Sequence, residues 1–329
     1  MGYQDENLHH STDILIVGAG MAGLSAASDL QLAGKNVLIV DKGRSVGGRL
    51  ASRRIGQATF DHGAQFFTAR DPRFAAAVDQ WLKVGAAEEW YRNLPNTSEA
   101  SEGHPRWRGK SGMTAIAKNL ALNLNVLLEK RIVSLRHESA GWAAVLEDGE
   151  EIFANAVLLT PPVPQSLTLL DSGAVSLPYA TRTRLERLAY ERCLTVMAVL
   201  TGPSRIPPPG GMKLADGPIA WLADNQMKGI SAIPAVTIHA SADFSLEQWD
   251  FDREETGREL LKAAEPWLGS EVITFQVHGW RYSKPIRIDE SPCLILNHFP
   301  PLVLAGDAFA GARVEGAAIS GWAAAEHLK

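Results

Sequence analysis

The sequence predicts an α/β protein of two lobes, one built on a parallel sheet flanked by helices, the other an inserted α+β lobe on a mostly antiparallel sheet. Three observations carry this. Residues 13–17 and 36–40 are short apolar runs on either side of a helix-length stretch of small and apolar residues, the pattern of strands buried on both faces. A helical crossover between two such strands makes them parallel neighbours. Residues 161–285 instead alternate several strand-like segments with few helices, which suits a sheet covered on one face. A length of 329 residues fits two domains.

Taken in order, residues 1–12 carry Asp5, Glu6, His9 and His10 with almost no apolar side chain, so they read as a flexible tail and lack the pattern of a signal peptide. The first strand, 13–17, ends at a glycine cluster, and Ala22, Ala26, Ala27 and Leu30 then keep helical spacing. Gly34 supplies the helix end and residues 36–40 the next strand, which stops at Asp41. Asp71-Pro72 opens a helix whose apolar face is Phe74, Val78, Trp81 and Leu82. Residues 93–105 read as a surface loop, 113–122 as a helix, and 126–135, 142–146 and 151–159 as strands, with Asp148-Gly149 as a hairpin turn. Pro161, Pro162 and Pro164 mark a crossing into the second lobe, where we expect a basic helix at 182–190, strands at 194–200, 219–223, 236–240 and 272–282, and a helix at 254–261. A buried strand at 302–305 and a small-residue helix from about Gly316 close the chain. The expected domains are therefore 13–70, 106–160 and 286–329 for the first, and 71–105 with 161–285 for the second.

Composition narrows the chemistry. With 32 Lys and Arg against 37 Asp and Glu and no basic run, the chain has no footprint for nucleic acid or an anionic membrane. The two cysteines, Cys193 and Cys293, stand in no metal or redox spacing, and no histidine pair has ligand spacing on a helix, so we expect no metal and a reducing, cytoplasmic setting. No apolar run approaches the ~20 residues that cross a bilayer.

Gly18-Ala19-Gly20-Met21-Ala22-Gly23 follows a predicted strand and opens a predicted helix, and Asp41 ends the second strand. Gly18 permits the turn, Gly20 the approach of a pyrophosphate, and Gly23 close helix–strand packing, while the helix N-terminus attracts phosphate and Asp41 accepts from a ribose. Gly47-Gly48 before Arg49 suits an arginine that bridges cofactor phosphates. These strings, with Asp41-Lys42 between them, resemble the FAD-binding half of the flavin amine oxidase superfamily. Residues 61–68 (DHGAQFFT), Asp71-Pro72-Arg73-Phe74, and Trp107-Arg108-Gly109 before Gly112-Met113 are similar to its renalase branch, and Gly306-Asp307 with 314–321 (VEGAAISG) completes the match.

The resemblance implies a Rossmann-like FAD-binding domain and a fold in which Asp307 holds the ribityl chain while Gly316, Ala317 and Ile319 open a helix toward the flavin pyrimidine. A helix N-terminus there stabilises the negative charge of reduced flavin. It also implies that Gly63, Ala64 and Gln65 pass close to the isoalloxazine, and that the Val133 backbone meets the adenine end. FAD is expected to be non-covalent, because Cys293 is not set near the C-terminal motif. On the substrate side, alternation puts Thr237 and His239 on one face of their strand, and His278, Trp280 and Tyr282 on one face of another. The resemblance makes His239 and Trp280 pocket residues, hydrogen-bonding and stacking on a planar ring; Trp221, Asn225 and the other histidines read as structural.

The activity implied is an oxidase taking hydride at flavin N5 from the 2- and 6-dihydro isomers of NAD(P)H, with dioxygen as acceptor. The alternatives are an amine oxidase acting on a small amine, with Lys284 as the lysine near N5, and a non-catalytic FAD-binding protein.

Overall fold

The computed structural model describes residues 10–94 and 103–329; most of the expected tail and residues 95–102 of the expected loop lie outside them. Within that range one eight-stranded sheet runs, in spatial order, Leu294–His298, Pro301–Leu304, Glu151–Leu159, His10–Val17, Val37–Val40 and Asn125–Leu127, with the hairpin Ile132–Glu138 and Gly141–Leu146 added on the start of Glu151–Leu159. Every neighbouring pair from Pro301–Leu304 to Asn125–Leu127 is parallel. The apolar runs follow from burial on both faces. Ile14, Ile16 and Ile39 pack under the helices Met21–Leu32 and Thr114–Ala121, whereas Leu15, Val17, Leu38 and Val40 meet Trp142, Val163, Leu167 and Leu170 on the other side. The last helix, Val314–Glu326, closes on Met21–Leu32 through small residues: a Cβ at Gly321 would stand 2.1 Å from the Ala22 carbonyl.

The second sheet has five strands, all antiparallel, in the order Gly211–Lys213, Ile219–Asp224, Ala235–Ala240, Tyr190–Leu200 and Val272–Pro285. Leu194, Val196, Ala198 and Leu200 pack on the helix Arg253–Leu268, capped by Asp252. Its opposite face meets Ala58 and Phe60 of the short hairpin Ser52–Ile55 and Ala58–Asp61, which reaches across from the first lobe.

Several elements differ from expectation. The first strand begins at His10, and residues 10–12 pair with Ile152, Phe153 and Ala154, so this end of the expected tail is sheet. Residues 126–135 are not one strand: Glu129 turns at φ 57°, and the amides of Glu129 and Lys130 donate to the Gly43 and Asp41 carbonyls, drawing the chain over the end of the second strand. The helix expected at 182–190 is Tyr179–Glu186, and Tyr190 already pairs with Pro285. The helix Pro72–Lys83, capped by Asp71 as its sequence indicates, buries Phe74, Val78 and Trp81 in the first core rather than in the second lobe. The proline run opens a helix, Val163–Ser172, and this segment with Leu185 and Leu188 also packs on the first sheet, so the chain crosses into the second lobe near residue 190. No helix of the described residues is long and apolar enough to cross a membrane.

Candidate active site

The parallel strands deliver their carboxyl ends to one edge. Gly18 follows Val17, Asp41 follows Val40, Thr160 follows Leu159 and Gly306-Asp307 lies just beyond Leu304, and all five residues line a cavity of about 1350 Å³ whose far wall is the second sheet. Crevices outside the carboxyl ends of such strands are where doubly wound sheets bind ligands. The volume exceeds the ~300–1,000 Å³ of a pocket for a drug-sized ligand.

The sequence-predicted residues divide cleanly. Gly18, Gly20, Met21, Ala22, Asp41, Lys42, Gly48, Arg49, Gly63, Ala64, Gln65, Val133, His239, Trp280, Asp307 and Ala317 all line this one cavity. Ala19, Gly23, Gly316 and Ile319 do not. The Ala19 amide donates to Asp41 Oδ2 at 2.7 Å, Gly23 is pressed against the Gly18 carbonyl, and Gly316 against the Gly311 carbonyl, so these three shape the wall from behind. Two predicted contacts are already engaged within the protein. Arg49 makes a bidentate pair with Asp307 (2.6 and 2.7 Å), and Asp41 Oδ1 accepts from the Gly43 amide at 2.6 Å. The pair joins the glycine loop to the C-terminal strand end across the cavity floor.

The other wall follows from strand register. Thr195 opposes both His239 and His278, and Cys193 opposes Trp280, so these side chains share the sheet face turned from the long helix. His239 Nε2 lies 3.2 Å from the His62 carbonyl, an acceptor only, which places the proton on Nε2. The Gln65 amide does not compete for it: Gln65 Nε2 donates to the Asp61 and Gly63 carbonyls at 2.6 and 3.1 Å. Trp280 Nε1 donates to the same His62 carbonyl at 2.8 Å. Burial, with the charge of Lys228 nearby, lowers the His239 pKa to about 4. Burial likewise lowers His62 to about 3, helped by His278 and Arg53, and His278 to about 4, helped by Arg53 and Arg253. All three imidazoles are neutral at pH 7.

The charges around the cavity are lopsided. Lys42, Arg49, Arg70, Arg106, Lys130, Arg131, Arg281 and Arg313 line it, against Asp41, Asp307 and Glu315. Each carboxylate is engaged: Asp41 by the two amides, Asp307 by Arg49, and Glu315, through Oε1, by the amides of Arg70 and Asp71 at 2.5 and 2.7 Å. Lys130 and Arg131 pair with Asp148, Glu150 and Glu147, while Arg70, Arg106, Arg281 and Arg313 have no carboxylate partner among the described residues.

Three residues were not anticipated. Trp221, expected to be structural, lines the cavity beside Phe66, with ring centroids 5.8 Å apart. His62 forms the hub of an aromatic group with His278 and Trp280, at 5.0 and 5.1 Å. Lys284 lies at the surface, 4.0 Å from Glu191, and the buried lysine is Lys228 instead. Among the described residues no cluster of three His, Cys, Asp or Glu is placed to hold a metal.

The wall suits a flavin dinucleotide. A Cβ at Gly20 meets nothing within 4 Å, so the loop leaves an open cradle at the N-terminus of Met21–Leu32, where amides and helix dipole favour a pyrophosphate. Val314 and Ala317 put the start of the last helix on the same cavity.

Comparison with known proteins agrees. Residues 16–81 match the NAD(P)-binding Rossmann-like domain, and residues 98–329 match the flavin containing amine oxidoreductase family. Among curated proteins, (S)-6-hydroxynicotine oxidase of Paenarthrobacter nicotinovorans is 39% identical over 83 residues, and putrescine oxidase of Kocuria rosea 37% identical over 115. These stretches cover 24% and 33% of this chain and only 20% and 24% of those relatives. Among solved structures, a putative protoporphyrinogen oxidase from Exiguobacterium sp. 255-15 superposes with a TM-score of 0.72 at 14% identity, covering 97% of this chain and 98% of that one. A redesigned putrescine oxidase gives 0.72 at 15% identity, with the same coverage. The fold is thus that of these flavoenzymes, the cofactor is FAD, and the chain belongs to the flavin-containing amine oxidoreductase family.

Proposed function

We propose that the chain is a renalase-like oxidase of isomeric dihydronicotinamide nucleotides, converting 2- or 6-dihydro-NAD(P) with dioxygen and a proton to NAD(P)+ and hydrogen peroxide. The observation that carries this reading is the charge inventory of the cavity among the described residues: four arginines without carboxylate partners, and three carboxylates each engaged within the protein. A nucleotide substrate brings phosphates that such arginines attract. FAD supplies the hydride acceptor. The protein's part is to bind and orient. Trp280 and Trp221 offer flat faces to a planar ring, and His239, neutral and locked by the His62 carbonyl, orients it without taking a proton. A substrate that already carries a transferable hydride needs no strong base, which fits a wall whose imidazoles titrate near 4 or below.

In this reading Gly18, Gly20, Met21 and Ala22 take the pyrophosphate, Asp41 and Lys42 a ribose, Val133 the adenine end, and Asp307 the ribityl chain, with Gly63, Ala64 and Gln65 along the flavin ring. The dinucleotide is held non-covalently. Cys293 is buried in the first core, and burial pushes the thiol of Cys193, on the cavity wall, up to about 11.

An amine oxidase is the second reading, favoured by the names of the curated relatives. It asks a cationic amine to enter a cavity lined, among the described residues, by eight basic side chains against three carboxylates that amides or an arginine already engage, and the lysine nominated for it, Lys284, is at the surface. Anaerobic stopped-flow mixing separates the two. Bleaching of the flavin band by 6-dihydro-NAD and none by putrescine or other amines is the expected result; bleaching by amines alone rejects the proposal, and bleaching by neither leaves a non-catalytic FAD-binding protein.

A further inference from the structure

Lys228 and Asp61 form an ion pair 2.7 Å long in which both side chains are 0% exposed. Burial lowers the Lys228 pKa, and the Asp61 carboxylate beside it opposes that shift. Replacing such a pair by apolar side chains of similar volume is often neutral or stabilising, so stability does not account for it. Its geometry does. The ammonium directs its donors at Asp61 Oδ2, the Gln65 carbonyl (2.6 Å) and the Gln65 carboxamide oxygen (3.5 Å), and sits 4.5 Å from the centre of the Trp90 ring. Asp61 Oδ1 accepts from Ser52 Oγ at 2.6 Å and the Met113 amide at 2.7 Å, both on the first lobe.

The pair therefore spans the lobes at one five-residue segment, and that segment forms cavity wall at Gly63, Ala64 and Gln65. Its other bonds are of the same kind. Thr237 and Asn225 hold the Asp61 backbone from the second sheet, Trp280 and His239 hold the His62 carbonyl, and the Ala64 amide is tied to the Arg49 carbonyl at 2.9 Å. Lys228 reaches both ends of the segment, at the Asp61 carboxylate and the Gln65 carbonyl, and faces the Gln65 carboxamide oxygen, while Gln65 Nε2 ties back to the Asp61 and Gly63 carbonyls.

We propose that Lys228, through Asp61, is a positioning residue that sets the Asp61–Gln65 segment and the Gln65 carboxamide against the flavin, touching neither cofactor nor substrate. This rests on the flavoenzyme reading. The test replaces both charges by neutral hydrogen-bonding side chains, Asp61→Asn with Lys228→Gln, beside the single change Lys228→Met, which leaves a buried carboxylate unpaired and, if it does not fold, hands the decision to the double variant. Flavin-band circular dichroism reports the cofactor's surroundings without any substrate, and stopped-flow reduction adds the limiting rate and substrate Kd. We expect a folded double variant that binds FAD within about threefold of the parent, has an altered flavin-band spectrum, and is reduced at least about tenfold more slowly with little change in substrate Kd, as misplacement of a positioned segment predicts. A folded, flavin-loaded double variant with the parental spectrum overturns the proposal, and so does a double variant that does not fold, which would make the pair a folding element. If no dihydronicotinamide reduces the parent protein, the substrate reading fails while the flavin-band spectrum still decides on the pair.

Discussion

Two glycines of the same turn, Gly20 and Gly23, should fail in opposite ways when substituted. Gly20 has φ −80° and ψ −178°, extended backbone open to any residue, and nothing lies within 4 Å of an added Cβ. Gly20→Val therefore costs the folded chain no more than the loss of a tolerated helix N-cap, about 1 kcal/mol. Its side chain instead fills the cradle on the cavity side. Losing one amide bond to a charged phosphate removes about 1.5–3 kcal/mol, or roughly a 10- to 150-fold rise in the Kd for FAD. Gly23→Ala is the converse. Its Cβ would stand 2.1 Å from the Gly18 carbonyl and 3.2 Å from Ile16, so strand and helix must part, at the 1–3 kcal/mol typical of overpacking (order of magnitude). The assay is urea unfolding of the flavin-free chain, followed by far-UV circular dichroism, beside FAD titration by fluorescence. Gly20→Val should bind FAD roughly 10- to 150-fold more weakly with at most a small drop in its unfolding midpoint, whereas Gly23→Ala should lower the midpoint further and leave the cradle open. A Gly20→Val protein with the parental Kd for FAD, or one destabilised as much as Gly23→Ala, refutes the assignment of the cradle.

Other outcomes follow from the same geometry. His62 is buried neutral with a pKa of about 3, while unfolded histidine titrates near 6.5, so the unfolded state binds the extra proton and stability must fall as pH drops from about 6.5 toward 3. The loss is about 2 kcal/mol at pH 5 for an imidazole that stays neutral, and urea midpoints at pH 7, 6 and 5 check it; a midpoint that rises on acidification contradicts the neutral state. Trp280→Phe keeps a ring but removes the bond to the His62 carbonyl, worth about 1 kcal/mol, whereas Trp280→Ala removes the stacking face too. Both should retain FAD, and the alanine variant should show the slower flavin reduction; equal rates in all three proteins would dismiss Trp280 from the pocket. Lys284→Ala should change neither reduction rate nor stability by more than about 0.5 kcal/mol, as expected for an exposed side chain.

What was legible in the sequence is what the chain builds over short distances. The turn from Val17 through Gly23, the acid at Asp41 and the Asp71 cap each depend on residues a few positions or one crossover apart, and the structure has all three. Strand alternation also identified the shared faces of His239, His278 and Trp280. Partnership was not legible. The spacing of Phe74, Val78 and Trp81 says that a helix face is buried, and is silent on which core receives it. Lys228 sits in the polar string Asn225-Gln226-Met227-Lys228-Gly229, which reads as a solvated turn; its burial comes from Asp61, 167 positions earlier. Trp221 and His62 were set aside for the same reason.

This division bears on how activity is distributed over the fold. The cofactor wall grows from strand ends that the parallel sheet places side by side, so any chain with that sheet and a glycine turn inherits most of it. The opposite wall, the substrate's in the proposed reading, comes from side chains on the second sheet and has no such constraint, so a fold shared at 14–15% identity does not carry a substrate with it. The segment from Asp61 to Gln65 is where the two walls meet, held from the first lobe by the Arg49 carbonyl and the Met113 amide, the latter on the Asp61 carboxylate, and from the second by Lys228, Thr237, His239 and Trp280. A change in the second lobe reaches the flavin through that segment even when the altered residue lies off the cavity, and substitutions of Lys228 and Asn225 therefore belong with those of the wall residues in any search for altered specificity.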